Sequence, residues 1–579
     1  MHRALTQRVK RRPTLAALLL LLVALVLAFL ANQPAVAYQS DDPAANLILS
    51  GRVLDPQNQP VVEAELVARA SDESEPLGET HSQENGTWQL ILSELPSTDL
   101  TITIERQHFE TATISLAASE LRALANRGAV QLGELVLERE ISAGFWAATI
   151  IFVAVLLIIA LERLHSTTAA LAGLSAIFLV SVVGEVLWEE LLIFKFERAL
   201  TYINWEVIFL VMAMMIVIAI IEETGIFQWT AFQAYRISRG RAWLLVLILM
   251  AVTAVASALL DNFTTMLLMT PISLQIGLAL GINPLALIVP EVLASNVGGI
   301  STLIGTPTNI LIGAHANIGF TDFLINQTVG VLVALALMGG YVLWHYRAEW
   351  RAQAGGISPA LYARLEENAQ IKHPGTLAKS GFVFGLILGG FVLGEQIEVV
   401  PAVPALIGAT ALLIWLQPDI HAMIKAVDWT TLVFFMALFM VVGAVQEVGL
   451  ISVIAANIGQ VVGQSLALAI FIMVFGVGLL SIFIANIPLA ASMLPVADFL
   501  TGSIPGAEGK ALYYALSMGA AMGGNGSLVG AEANLVTAGI TEQAGEPMSF
   551  ANFLKVGIPV TLLTLAAGFL WLLIRFVIL

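Results

Sequence analysis

Two stretches of the chain spell nearly the same thing 224 positions apart, Asn204–Gly225 (NWEVIFLVMAMMIVIAIIEETG) and Asp428–Gly449 (DWTTLVFFMALFMVVGAVQEVG). Trp205 matches Trp429, Glu223 matches Glu447 and Gly225 matches Gly449. The echo continues. Ser257–Asn262 (SALLDN) lies opposite Ser481–Asn486 (SIFIAN), and Thr270-Pro271 opposite Leu494-Pro495. Gly298–Asn309 (GGISTLIGTPTN) then lies opposite Gly523–Asn534 (GGNGSLVGAEAN), the offset having grown to 225. Each half thus carries long apolar runs and a polar, glycine-rich interruption. Paired halves with interrupted apolar segments are the pattern of secondary transporters.

Composition places the repeat in a membrane. Hydrophobic residues make up 58% of the 579, and charged residues only 12%. A soluble domain carries about 25% charged residues. Many runs approach the ~20 apolar residues that cross a bilayer. The fold expected is a polytopic α-helical membrane protein with two inverted repeats and re-entrant hairpins, preceded by a small all-β sandwich. The net charge of −16 argues against a nucleic-acid partner. With no cysteine there is no disulfide and no thiolate metal site.

Five basic residues precede an apolar run that ends near Ala35-Val36-Ala37. Residues 1–37 therefore read as a signal peptide, or as an uncleaved signal anchor. From Asn46 to Glu138 the segments LILSGRVLD, VVEAELVARA, TWQLILS, LTITIER and VQLGELVLERE alternate apolar and polar residues. Turn residues such as Asp55-Pro56 and Asn85-Gly86 separate them, which predicts an antiparallel β-sandwich over 45–138. GRVLDPQNQPVVEAEL with ENGTWQL resembles the carboxypeptidase-regulatory-like, transthyretin-type module. Nothing in it looks catalytic.

Membrane spans are expected near 144–161, 169–186, 205–221, 242–260, 326–345, 381–397, 403–417, 430–446, 465–485 and 556–577. Broken segments are expected near 262–281, 286–314, 487–500 and 513–540. The first repeat then covers 143–346 and the second 381–579, joined by a cytoplasmic connector over 347–380. Arg236, Arg239 and Arg241, and Arg347, Arg351, Arg364, Lys372 and Lys379 in the connector, should face the cytoplasm. Counting crossings puts Trp429 near the cytoplasmic side and Trp205 near the outer side, so the repeat is inverted. The expected location is the plasma (inner) membrane, multi-pass, with the sandwich outside.

Three polar stretches carry the chemistry. In Ser257–Pro271 (SALLDNFTTMLLMTP), Asp261 and Asn262 interrupt an apolar run. An intramembrane carboxylate must face protein or a watery cavity and is a functional candidate by default. Asp261 also suits the cap of a short helix. Ser295–Asn309 (SNVGGISTLIGTPTN) is too polar and too irregular to face lipid. Freed carbonyls and Asn, Ser and Thr oxygens suit a cation such as Na⁺, whereas helix N-termini suit an anion. Both signs stay open. Gly523–Asn534 repeats the pattern and adds Glu532, a carboxylate where the first half has Thr, either a proton carrier or a hinge residue. Glu291 is intramembrane too and could pair with a polar group in the opposite half. Glu222, Glu223 and Glu447 read as helix ends near the interface, Trp205 and Trp429 as interfacial anchors, and His315 as a loop residue, not a metal ligand.

WEVIFLVMAMMIVIAIIEETGIF, AYRISRGRAW, SALLDNFTTMLLMTP, EVLASNVGGISTLIGTPTN and GGNGSLVGAEANLVTAGI resemble the ion-transporter superfamily. The branch is the citrate-transporter-like one of arsenite permeases, NhaD-type antiporters and the melanosomal P protein. The resemblance runs from about Ala143 to the C-terminus. It implies a scaffold domain and a transport domain with two re-entrant hairpins. Relatives that move divalent anions with sodium carry Ser-Asn-Thr at each hairpin tip. Here the tips read Asp261-Asn262-Phe263-Thr264 and Asn486-Ile487-Pro488, so dicarboxylate transport is in doubt. The family's second Asp-Asn pair is Ala485-Asn486 here, while Glu532 stands where the family has a small residue.

The expected function is secondary active transport of a small ion or anion, coupled to H⁺ or Na⁺, by alternating access. A Na⁺/H⁺ antiporter proper and an uncoupled anion conductance are the alternatives. Candidate substrate or ion ligands are Asp261, Asn262, Thr264, Asn296, Thr306, Asn309, Asn486, Asn525, Ser527 and Asn534. Candidate proton carriers are Glu532, Asp261 and Glu291. No cofactor is expected beyond Na⁺ or H⁺ as coupling ion. The partners are the bilayer and a small inorganic or organic ion; a homodimer is left open. No nucleophile–base pair or nucleotide-binding loop points to an enzyme or an ATP-driven pump.

Overall fold

The computed structural model describes residues 47–578, apart from 57–59, 72–74, 93–95, 126–128, 162, 353–361, 364–365 and 368. The expected signal segment 1–37 and Arg364 of the connector lie outside the described residues. The chain divides into two compact units, one holding the strands and the other the helices from Ala143 onward.

In the first unit, alternation produces strands because one face of each is buried. β1 (Leu47–Leu54), β2 (Glu65–Ala70), β3 (Pro76–His81), β4 (Thr87–Leu92), β5 (Leu100–Glu105), β6 (Ala112–Leu116) and β7 (Ala129–Val136) form two sheets, ordered β4-β1-β7 and β3-β2-β5-β6. Leu47, Leu49, Leu66, Ala68, Trp88, Leu90, Ile102 and Ile104 are buried between them. Gly51 pairs with Trp88, whose ring fills the space a Cβ would need: that carbon would come within 2.8 Å of it. A short helix, α1 (Ala118–Ala125), precedes β7.

The second unit is helical. Its first half runs α2 (Ala143–Ala160), α3 (Ser166–Leu187), α4 (Trp205–Glu222), α5 (Ile226–Ser238), α6 (Ala242–Leu259), α7 (Asn262–Leu280), α8 (Leu285–Gly298), α9 (Pro307–Ala316) and α10 (Phe320–His345). Its second half runs α11 (Pro374–Gly394), α12 (Ala402–Leu416), α13 (Trp429–Glu447), α14 (Leu450–Val462), α15 (Leu466–Ser481), α16 (Asn486–Ser503), α17 (Ala511–Gly523), α18 (Glu532–Gln543) and α19 (Phe550–Leu573). Among the described residues, nine helices are long and apolar enough to cross a membrane.

Packing follows the repeat. α3 packs on α13 and α4 on α12; α7 packs on α18 and α9 on α16. Such reciprocal exchange is what a two-fold relation between halves produces. The matched helices α4 and α13 run in opposite directions. Tyr202, just before α4, lies against Gly443 near the end of α13, while Asp428 at the start of α13 meets Met215 in the later part of α4. The repeat is inverted.

Several expectations change. The segments 262–281 and 487–500 are not broken: α7 and α16 are continuous, with Pro271 and Pro495 inside them. Both are buried in protein on most sides, where the carbonyl freed by each proline needs no lipid-facing solution. Of the four segments expected to be broken, the interrupted ones are 286–314, at 299–306, and 513–540, at 524–531. The span expected at 465–485 ends at Ser481 and relaxes into a π turn over Ile472–Gly476. His315 is not in a loop but in the last turn of α9, where its Nε2 lies 2.7 Å from Asp498. Glu447 is no exposed helix end: it is buried against Arg198 (3.1 Å) and Tyr202, whereas its twin Glu223 is exposed.

Candidate functional site

The two helix breaks are built by the same local chemistry. After Gly298 and after Gly523 the helix tightens into one 3₁₀ turn, and a new helix starts at Pro307 and at Glu532. The carbonyls stranded in each gap need donors, since lipid offers none. Asn309 Nδ2 donates to the carbonyls of Ile300 (3.0 Å) and Thr302 (2.8 Å). Asn534 Nδ2 donates to Gly524 (2.9 Å) and Ser527 (2.8 Å). Ser257 donates to the Ser295 carbonyl at 2.8 Å, as its twin Ser481 does to Ala520 at 2.7 Å. Thr302 and Ser527 in turn donate to the carbonyls of Ala258 and Ile482. Glycine is required where the gap closes on itself. A Cβ at Gly299 would stand 2.3 Å from the Gly305 carbonyl oxygen, and one at Gly524 2.8 Å from that of Gly530.

Four amides join the halves at the centre. Asn262 Nδ2 donates to Asn296 Oδ1 at 2.8 Å. Asn296 Nδ2 donates to Asn525 Oδ1 at 2.8 Å and to Asn534 Oδ1 at 2.9 Å. Asn309 Oδ1 accepts instead from Ser517, which also bonds Gln327. All these side chains are buried and line none of the cavities described below. In this conformation Asn262, Asn296, Asn309, Asn525, Ser527 and Asn534 hold the breaks and the seam between halves. Thr306 caps α9, Thr264 gives its N–H to Asp261 at 2.7 Å, and Asn486 is buried in the first turn of α16.

The carboxylates sit elsewhere, at open space. A cavity of about 720 Å³ is lined by Asp428, Thr430, Thr431, Phe434, Ala485 and Glu532 among others. A second, of about 550 Å³, is lined by Glu206, Leu210, Ile310, Asp322, Glu395 and Glu398 among others. The two are images under the repeat: Thr430 matches Glu206, Phe434 matches Leu210 and Leu535 matches Ile310. A constriction of about 30 Å³ shares Ile310 with the second cavity and Phe263, Asp428, Thr431 and Glu532 with the first. That is space for one or two waters. Asp261 lines it as well. No Lys or Arg lines any of the three among the described residues.

Helix ends explain the placement. Asp261 caps α7 and Glu532 is the first residue of α18, so each carboxylate sits at the positive end of a helix dipole. α7 and α18 pack together. Of their repeat images, α16 has Ala485 at its cap position and α9 begins with Pro307. Glu532 therefore answers Pro307, not a Thr. Asp428 is the site residue that the sequence reading passed over as a mere start of the repeat. The signal was its twin: Asn204 caps α4 as Asp428 caps α13, but without charge. Glu291 does not line the constriction. Its partner is Ser273 of its own half, at 2.9 Å, not a group of the opposite half.

Apolar spanning helices, two matched halves and a carboxylate-lined constriction between two cavities define a multi-pass membrane transporter. Residues 156–519 match the citrate transporter family. An uncharacterised transporter of Mycobacterium tuberculosis is 35% identical over 429 residues, 73% of this chain and 97% of its own. The P protein of Homo sapiens is 31% identical over 551 residues, 81% of this chain and 64% of its own. The chain belongs to the citrate transporter family. Among solved structures, the YdaH transporter of Alcanivorax borkumensis aligns with TM-score 0.47 and 15% identity, covering 74% of this chain and 97% of its own. MtrF of Neisseria gonorrhoeae aligns with TM-score 0.48 and 13% identity, covering 75% and 95%.

Proposed function

We propose that the protein is a secondary cation transporter that exchanges a small monovalent cation, Na⁺ first, against protons by alternating access. The observation that carries this reading is the constriction: three carboxylates, Asp261, Asp428 and Glu532, and no Lys or Arg in its lining among the described residues. A passage lined by one sign of charge between low-dielectric walls concentrates the opposite ion. The acidic second cavity, with Glu206, Asp322, Glu395 and Glu398, extends that field. Carboxylate oxygens bind hard cations and protons alike, so the two compete for the same groups. Inverted halves with image cavities on either side of a closed neck are the geometry that rocking between two access states uses.

The family's description as citrate transporters suggests a tricarboxylate instead. A free tricarboxylate needs cationic or N–H donors. Of the four helix N-termini at the constriction, those of α7, α13 and α18 already carry carboxylates, and that of α9 begins with Pro307, which has no N–H to give. Orientation follows from charge. Lys372 of the connector donates its N–H to Thr224 at the end of α4, at 2.9 Å, and Tyr362 stacks near Phe232 and Tyr235 of α5. The connector and the Arg236–Arg241 cluster therefore share one side, which supports a cytoplasmic face there and, by the count of crossings, an extracytoplasmic sandwich; a plasma (inner) membrane location is proposed with them. Purified protein in liposomes, given an inward Na⁺ gradient, should move protons outward. Flux of citrate with no proton or Na⁺ dependence would overturn the reading.

A further inference from the structure

Glu291 lies in the wall of the first half with no exposure, on α8, away from the cavities. Ser273 on α7 donates to its Oε2 at 2.9 Å. Among the described residues its Oε1 makes no well-formed hydrogen bond, and the hydroxyl of Thr253 on α6 lies beside the same carboxyl. Among the described residues no cation is paired with the group. α8 packs against α6, α7, α10, α17 and α18, and none of these carries Lys or Arg. Their titratable side chains are Asp322, Tyr341 and His345 at the ends of α10, Tyr513 and Tyr514 on α17, and Glu532 and Glu542 on α18, with Asp261 capping α7. An ionised carboxylate buried without a cation is among the costliest groups a fold can hold.

The second half shows that the fold does not need a polar group here. The repeat images of Thr253, Ser273 and Glu291 are Val477, Ala497 and Leu516, all buried and apolar. The same packing is thus made once with a carboxyl and two hydroxyls and once with hydrocarbon. The only side-chain polar groups recorded beside the Glu291 carboxyl are the hydroxyls of Ser273 and Thr253, neither of which carries a charge to hold it ionised. We propose that Glu291, flanked by Ser273 and Thr253, is a second proton-binding site, separate from the cavity carboxylates, that loads and releases a proton during the transport cycle. The inference rests on the proton-coupled reading above.

Infrared spectra of the full-length protein in lipid test it without transport. A protonated carboxyl band should be present in the wild type, absent in Glu291→Gln and displaced by deuterium exchange, and it should vanish reversibly in alkaline buffer. A spectrum unchanged by Glu291→Gln, or a Glu291 band that never changes with pH, overturns the proposal. Liposome flux supplies the second arm. Glu291→Gln should lose proton-driven Na⁺ uptake and keep Na⁺-for-Na⁺ exchange, whereas proton-driven uptake at the wild-type rate refutes the coupling role. The triple variant Thr253→Val, Ser273→Ala, Glu291→Leu copies the second half and should stay folded; it must show the same loss. Wild-type protein without proton-driven flux would sink the cation-exchange reading instead, and the infrared result would still decide whether Glu291 holds a proton.

Discussion

Replacing Asp428 with Asn separates charge from capping at the constriction. Asp428 Oδ1 accepts the N–H groups of Thr430 (3.0 Å) and Thr431 (3.2 Å), and its Oδ2 accepts the Thr431 hydroxyl at 2.6 Å. An Asn keeps the cap, as Asn204 shows in the first half by accepting the Val207 N–H at 3.1 Å. Asn and Asp rank together as N-caps, so stability should change by less than about 0.5 kcal/mol. The Thr431 hydroxyl loses an acceptor but lines the cavity, where water replaces it. The lost charge is the larger effect. Unit charges ~6 Å apart at an effective dielectric of ~20 interact by about 3 kcal/mol. Asp428 is half-buried and partly screened, so about 1–2 kcal/mol is the realistic share. The half-saturating Na⁺ concentration of proton exchange should therefore rise roughly 5- to 30-fold. Asp428→Ala should show the same rise plus about 1 kcal/mol of lost stability in a thermal unfolding scan. An unchanged half-saturation in Asp428→Asn would refute a charge role and leave Asp428 a cap only.

Further outcomes follow from the seam and the breaks. Asn296→Ala strands the buried amides of Asn262, Asn525 and Asn534 and should cost about 3 kcal/mol or more, read as a lower unfolding midpoint in detergent. Ser517→Ala removes the partner of Asn309 and Gln327 and should cost about 1–3 kcal/mol by the same assay. Gly299→Ala should be worse tolerated than Gly524→Ala, because its Cβ would stand 2.3 Å from a backbone oxygen against 2.8 Å. The comparison is read as folded yield after size exclusion.

The helical fold was legible because its signals are collective. Runs such as Ala143–Ala160 leave few alternatives in a membrane, and the echo between Trp205 and Trp429 announces two halves. The breaks were legible at Gly298 and Gly523, where glycine pairs and Asn309 or Asn534 recur together. They were over-read at Pro271 and Pro495, because a proline inside a helix looks the same in sequence whether its freed carbonyl is exposed or buried. The site was legible as a set of residue types and not as an arrangement. Asn296 and Asp261 both look like ligands, but only long-range packing assigns one to the seam and the other to the constriction. His315 and Glu447 were misplaced for the same reason: their partners, Asp498 and Arg198, lie 183 and 249 positions away. The asymmetry between the halves, with Asp261 opposite Ala485 and Glu532 without an acidic twin, was readable from the alignment of the chain with itself.

Sodium uptake into liposomes, driven by an outward proton gradient, decides the role of the constriction when measured for the wild type, Asp261→Asn, Glu532→Gln and the two combined. Wild-type uptake should be saturable and inhibited by protons on the uptake side. Each single variant should lose most of it and the double variant should show none above empty liposomes, with all four proteins equally folded. Wild-type uptake rates in the double variant would rule out carboxylate-based cation exchange at the constriction.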